Sequence, residues 1–102
     1  MLEWRVSHWI LQDGGDPPVI FRLPPGAVKT VGRTARADFI LDAPLVSRLH
    51  CRLTADLSDQ LVVEDLESEN GTFVNGKRVD RATLRTGDVL TVGRVDFSID
   101  RG

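Results

Sequence analysis

Three short segments of this chain carry side chains able to hold a charged ligand. They are Gly32-Arg33, Ser47-Arg48-Leu49-His50 and Ser68-Glu69-Asn70-Gly71-Thr72, the last followed by Val74-Asn75-Gly76. Arg33 and Arg48 offer guanidinium forks, Ser47 a hydroxyl, and Asn70 and Asn75 amide donors and acceptors. The glycines let backbone N–H groups come close to a ligand and permit positive φ. A phosphate group calls for this chemistry, since several donors must converge on three oxygens carrying about −1.5 to −2 charge at neutral pH. The same residues also make good turns. Asn-Gly, Ser-Glu-Asn-Gly and Thr-Gly-Asp are turn sequences in their own right, and surface arginines are commonly just solvated, so residue types alone leave both readings open. No carboxylate pair and no nucleophile–base–orienter set is evident.

The elements that must hold these segments read as strand and turn throughout. Val19 to Leu23 is a short β-branched and aromatic run, with Pro17-Pro18 before it and Pro24-Pro25-Gly26 after it. Paired prolines stop both helix and ladder growth. Ala27 to Gly32, Asp38 to Leu41, His50 to Ala55 and Gln60 to Asp65 are further strand candidates. Thr72-Phe73-Val74, then Asn75-Gly76, then Lys77-Arg78-Val79 is a hairpin pattern, Asn-Gly being the strongest short-range hairpin signal. Val89 to Val92 and Val95 to Ile99 follow, separated by Gly93-Arg94. At the N-terminus, Leu2 to Leu11 is strand-like, with Leu2, Trp4, Val6, His8 and Ile10 on one face and Trp9 and Leu11 on the other. Trp4 and Trp9 are expected in core or edge packing. No stretch of ten or more residues has a helical period. Many short strands with turns about every 8–12 residues predict an all-β sandwich or barrel. Val31-Gly32-Arg33 recurs as Val92-Gly93-Arg94, which is too short to make a repeat.

Composition narrows the functional classes. The 102 residues predict one domain spanning 1–102, long enough to bury a modest core. A formal net charge of −2 argues against a general nucleic-acid binder, though not against a local basic pocket. The single cysteine, Cys51, excludes an internal disulfide and suggests a reducing, cytoplasmic setting. No window approaches the roughly 20 apolar residues of a membrane-spanning helix, and Met1 to Arg5 does not open like a secretion signal. The expectation is therefore no membrane, no nucleic acid, no small-molecule substrate, no cofactor and no metal site.

Taken together, Gly32-Arg33, Ser47-Arg48-Leu49-His50 and Asn70-Gly71-Thr72-Phe73-Val74-Asn75-Gly76, in this order and spacing, resemble the forkhead-associated (FHA) domain. Asp38 to Asp42, Val63 to Leu66, Leu84-x-x-Gly87-Asp88-Val89-Leu90 and Val95-x-Phe97 fit the same pattern, so motifs cover about Lys29 to Asp100. The resemblance implies an 11-stranded β-sandwich that reads phosphothreonine in extended peptides through loops at one end, by an arginine-centred mode. It implies that Arg33 is the principal phosphate ligand and that Ser47 bonds a phosphate oxygen. Arg48 would be a second phosphate contact, and Asn70 would bond the peptide backbone beside the phosphothreonine. Gly32, His50, Gly71, Thr72 and Asn75 would shape the site. The implied partner is a phosphothreonine-bearing protein, a Ser/Thr kinase or its substrate, so that phosphorylation is coupled to assembly in signalling.

One position departs from the pattern. Just before Asn70 the family commonly has Thr, Ser or Lys, and this chain has Glu69. An ionised carboxylate donates no hydrogen bond and repels a nearby phosphate. The expectation is that Glu69 points to solvent; it also keeps open a phosphate-independent interaction or self-association role on the same fold. An enzymatic reading with Ser47 as nucleophile and His50 as base is disfavoured, because the two stand three residues apart entering a strand with no orienting acid.

Overall fold

Period-two alternation decides which side of each strand is buried. In the computed structural model, which describes residues 7–102, eleven strands result: β1 (Trp9–Gln12), β2 (Ile20–Leu23), β3 (Val28–Gly32), β4 (Phe39–Ile40), β5 (Cys51–Ala55), β6 (Leu61–Asp65), β7 (Thr72–Val74), β8 (Lys77–Val79), β9 (Arg81–Leu84), β10 (Val89–Val92) and β11 (Val95–Arg101). They form a six-stranded sheet in the order β2-β1-β11-β10-β7-β8 and a five-stranded sheet in the order β4-β3-β5-β6-β9. Every pairing is antiparallel except β3 with β4. The protein is thus an all-β sandwich, as the resemblance implied.

The core lies between the sheets. The six-stranded sheet contributes Leu11, Leu23, Leu90, Phe97 and Ile99, and the five-stranded sheet Val31, Leu53, Leu61, Val63 and Leu84, all buried. Each such side chain contributes roughly 1.5–3 kcal/mol by leaving water. Phe21 on β2 stacks on Phe39 on β4, with ring centroids 4.5 Å apart, so the edge strands of the two sheets are joined by an aromatic pair.

The strand limits refine the sequence reading. Leu2, Trp4 and Val6 lie outside the described residues. Within them, Trp9 and Leu11 are the core-facing pair of β1, while His8 and Ile10 are half-buried. β3 begins at Val28 and not Ala27. β9 was not expected. Arg81-Ala82-Thr83-Leu84 does alternate, with Ala82 half-buried and Leu84 buried, but the pattern is only four residues long with one large apolar side chain, and pairing with β6 completes it.

Three features of the frame matter for the loops. Gly32 closes β3 where a Cβ would lie 2.0 Å from the Arg48 carbonyl oxygen, so the Ser47–Leu49 loop rests directly on the strand end. The Gly93 turn between β10 and β11 packs under Pro44 to Val46. At the other end of β11, His8 and Gly102 exchange backbone hydrogen bonds of 2.9 and 3.1 Å, extending the β1–β11 pairing by one step.

Candidate functional site

Arg33 follows directly on β3. Its backbone N–H donates to the Ser47 carbonyl at 3.0 Å and its Nε–H to the Val46 carbonyl at 3.0 Å. The stem of the guanidinium is therefore fixed, the side chain is exposed, and among the described residues no contact uses its terminal amino groups. Ser47 lies opposite, with its Oγ accepting from the Glu69 backbone N–H at 3.0 Å. A hydroxyl that accepts in this way still has its own proton to donate. Arg48 is exposed and unpaired among the described residues.

His50 ties the loops together from beneath. It is fully buried. Its Nδ1 accepts from the Ser47 backbone N–H at 3.1 Å, which puts the ring proton on Nε2, and Nε2–H donates to the Gly71 carbonyl at 2.8 Å. With both ring nitrogens occupied, His50 is a brace between the serine loop and the asparagine loop, not a base for Ser47.

Asp65, at the end of β6, is a second hub that the sequence reading did not single out. Its carboxylate accepts from the Ser68 hydroxyl at 2.5 Å, the Ser68 backbone N–H at 3.1 Å and the Thr72 hydroxyl at 2.7 Å. Ser68 Oγ in turn accepts from the Gly71 N–H at 2.9 Å. Burial acts to raise the Asp65 carboxyl, but the bonds from Ser68 and Thr72 outweigh it and hold the group below its ordinary value. The signal available in the sequence was Asp65-x-x-Ser68, a spacing at which a carboxylate caps the following turn.

Asn70 donates from Nδ2 to the Leu45 carbonyl at 3.1 Å. Its second amide hydrogen and its Oδ1 remain for a ligand. Leu45 has φ +69, a left-handed conformation that costs a side-chain-bearing residue about 1–2 kcal/mol. Asn70 on one side and the Gly93 turn on the other hold it there. Gly71 has φ +90, a backbone conformation that favours glycine, whereas the nearest atom a Cβ would meet, Arg78 Nε at 2.9 Å, belongs to an exposed side chain free to move aside.

These residues enclose one open cleft of about 720 Å³. Arg33, Ser47, Arg48 and Asn70 line it together with Pro44, Leu45, Val46 and Leu49, and Glu67 and Glu69 also face it. All four residues expected to touch ligand are thus brought together. Gly32, His50, Gly71 and Thr72 lie in the frame beneath. Asn75 does not reach the cleft. It sits at the far end of β7, where Nδ2 donates to Asp88 Oδ1 at 3.0 Å and Oδ1 accepts from the Val89 N–H at 2.9 Å, fastening the turn before β10. Cys51 is buried beside this frame, and burial first, then the Asp65 charge, pushes its thiol up to about 12. No three His, Cys, Asp or Glu side chains among the described residues gather where they could hold a metal ion, and no helix there is long and apolar enough to cross a membrane.

Comparisons with known proteins agree on one family. The family model described as FHA domain matches residues 29–93. The chain is 46% identical over 75 residues to the ABC transporter ATP-binding/permease protein Rv1747 of Mycobacterium tuberculosis, covering 74% of this chain but only 8% of that relative's length. Its fold superposes on the crystal structure of the FhaA FHA domain complexed with the intracellular domain of Rv3910, with a TM-score of 0.82 and 30% identity over 90% of this chain and 99% of that one. A structure from a study of phosphothreonine-dependent FHA domain interactions matches with a TM-score of 0.77 and 30% identity, over 93% of this chain and 95% of that one.

Proposed function

Because the chain belongs to the FHA-domain family, a family of binding modules, we propose that it docks onto a phosphothreonine-containing segment of a partner protein. The observation that carries this reading is the convergence of Arg33, Arg48 and Ser47 on one cleft with donor groups still unspent. Arg33 and Arg48 supply charge-assisted bonds to phosphate oxygens and Ser47 donates its hydroxyl proton. Asn70 bonds the peptide backbone beside the phosphorylated residue with the amide groups that Leu45 leaves free. The partner is a product of a Ser/Thr kinase, or the kinase itself, and binding couples its phosphorylation to assembly. The setting is cytoplasmic and the module is a single domain.

The test is binding to a peptide library carrying phosphothreonine, run beside phosphoserine and unphosphorylated versions, with Arg33→Ala as control. Phosphothreonine-selective binding is expected. In the variant it should weaken by about 30-fold or more, the consequence of the roughly 2–5 kcal/mol that truncating one partner of a desolvated charge pair costs. Partner capture that ignores both the phosphate and Arg33→Ala would instead support a phosphate-independent interaction role, the reading that Glu69 keeps open.

A further inference from the structure

The cleft carries charge of both signs. Glu67 and Glu69 line it alongside Arg33 and Arg48. The Glu69 backbone N–H is bonded to Ser47 Oγ, so this residue stands directly beside the hydroxyl assigned to phosphate. Both glutamates are exposed, and the ion pairs among the described residues engage Glu64 and Asp59 but neither of these two. Glu67 is presented from a left-handed backbone, φ +54, where glycine or asparagine would be more comfortable. A ligand that brings only a phosphate is attracted by the arginines and repelled by Glu69. A ligand that also brings a cation, a few residues along an extended chain, is attracted at both places.

Resting on the phosphothreonine reading of this cleft, we propose that its preferred ligand carries a lysine or arginine within a few residues of the phosphothreonine, selected by Glu67 and Glu69. The two arginines bind the phosphate, and the two carboxylates choose among phosphorylated segments. Acid-flanked segments are rejected because their carboxylates meet Glu67 and Glu69 without compensation. Basic side chains are met as exposed ion pairs, so the preference is modest per pair and shrinks as salt rises.

The experiment measures dissociation constants by fluorescence anisotropy for a phosphothreonine peptide of otherwise neutral sequence. Lys, Ala or Glu is placed at each flanking position in turn. Wild type is compared with E67Q/E69Q and with E67K/E69K. At one or more positions wild type should prefer Lys over Glu by about tenfold. That ratio should collapse toward one in E67Q/E69Q and invert in E67K/E69K. Equal affinity for Lys-flanked and Glu-flanked peptides at every position overturns the proposal, as does a Lys preference that survives unchanged in E67Q/E69Q. Failure of the underlying reading looks different: wild type would then not distinguish phosphorylated from unphosphorylated peptides, and both readings would fall together.

Discussion

At the residue scale, the cleft separates side chains proposed to touch ligand from side chains that hold them, and substitution should separate them too. Ser47→Ala removes the donor assigned to phosphate and also the acceptor for the Glu69 N–H. Hydrogen bonds to charged groups are worth about 1.5–3 kcal/mol, so phosphopeptide affinity should drop by about tenfold or more while thermal stability changes little. His50→Ala should do the reverse in proportion. It leaves the Ser47 N–H and the Gly71 carbonyl without partners in a buried place, at about 1–3 kcal/mol for each unsatisfied group, so the denaturation midpoint falls and binding is lost as a consequence. If a His50→Ala protein kept wild-type stability, the bracing role would be wrong. That Arg33, Ser47, Arg48 and Asn70 line one cleft was legible in the sequence because they sit in loops at family spacing. Asp65 was not, because a carboxylate at a strand end looks solvated until Ser68 and Thr72 are seen to donate to it.

At the element scale, the serine loop is positioned by contact with the end of β3, and Gly32 makes that contact possible. Gly32→Ala would push a methyl into the Arg48 carbonyl. Overpacking against backbone should cost about 1–3 kcal/mol or more and displace Ser47 and Arg48 with it. Chemical denaturation read beside peptide binding checks both effects, and an unperturbed variant would show that the loop does not rest where described. The β7–β8 hairpin makes the opposite case. Asn75→Ala removes two bonds to the turn before β10 and should lower stability by about 1 kcal/mol with phosphopeptide affinity unchanged. A large fall in affinity would mean that the hairpin transmits to the cleft. Strand existence was readable wherever alternation or an Asn-Gly turn was strong, as for β5, β7, β8 and β10. β9 escaped because its alternation, Arg81-Ala82-Thr83-Leu84, runs over only four residues with one large apolar side chain, too short to stand out before its pairing with β6 at the sheet edge is seen.

At the scale of the whole molecule, four aspartates are held below the ordinary carboxylate range. Asp38 is lowered by bonds from Thr30, Asp56 by the backbone of Gln60, Asp59 by Arg101, and Asp65 by Ser68 and Thr72 working against burial. A carboxyl whose folded value lies below its unfolded value stabilises the native state above the unfolded value, and that contribution is lost as pH falls through the folded one. Stability should therefore decline on acidification below the ordinary carboxylate range, and Asp65→Asn should flatten part of that decline in urea titrations at stepped pH. Cys51 has the opposite sign: burial raises its thiol to about 12, so it should react with a thiol reagent only as fast as the sandwich opens. Fast modification under native conditions would contradict its burial. The paired backbone at His8 and Gly102 has a consequence of another kind. This pair lies at the end of β11 remote from the Gly93 turn, roughly 20 Å of strand away from the cleft. A label placed at either position would thus report on the β1–β11 ladder from a place well clear of the cleft.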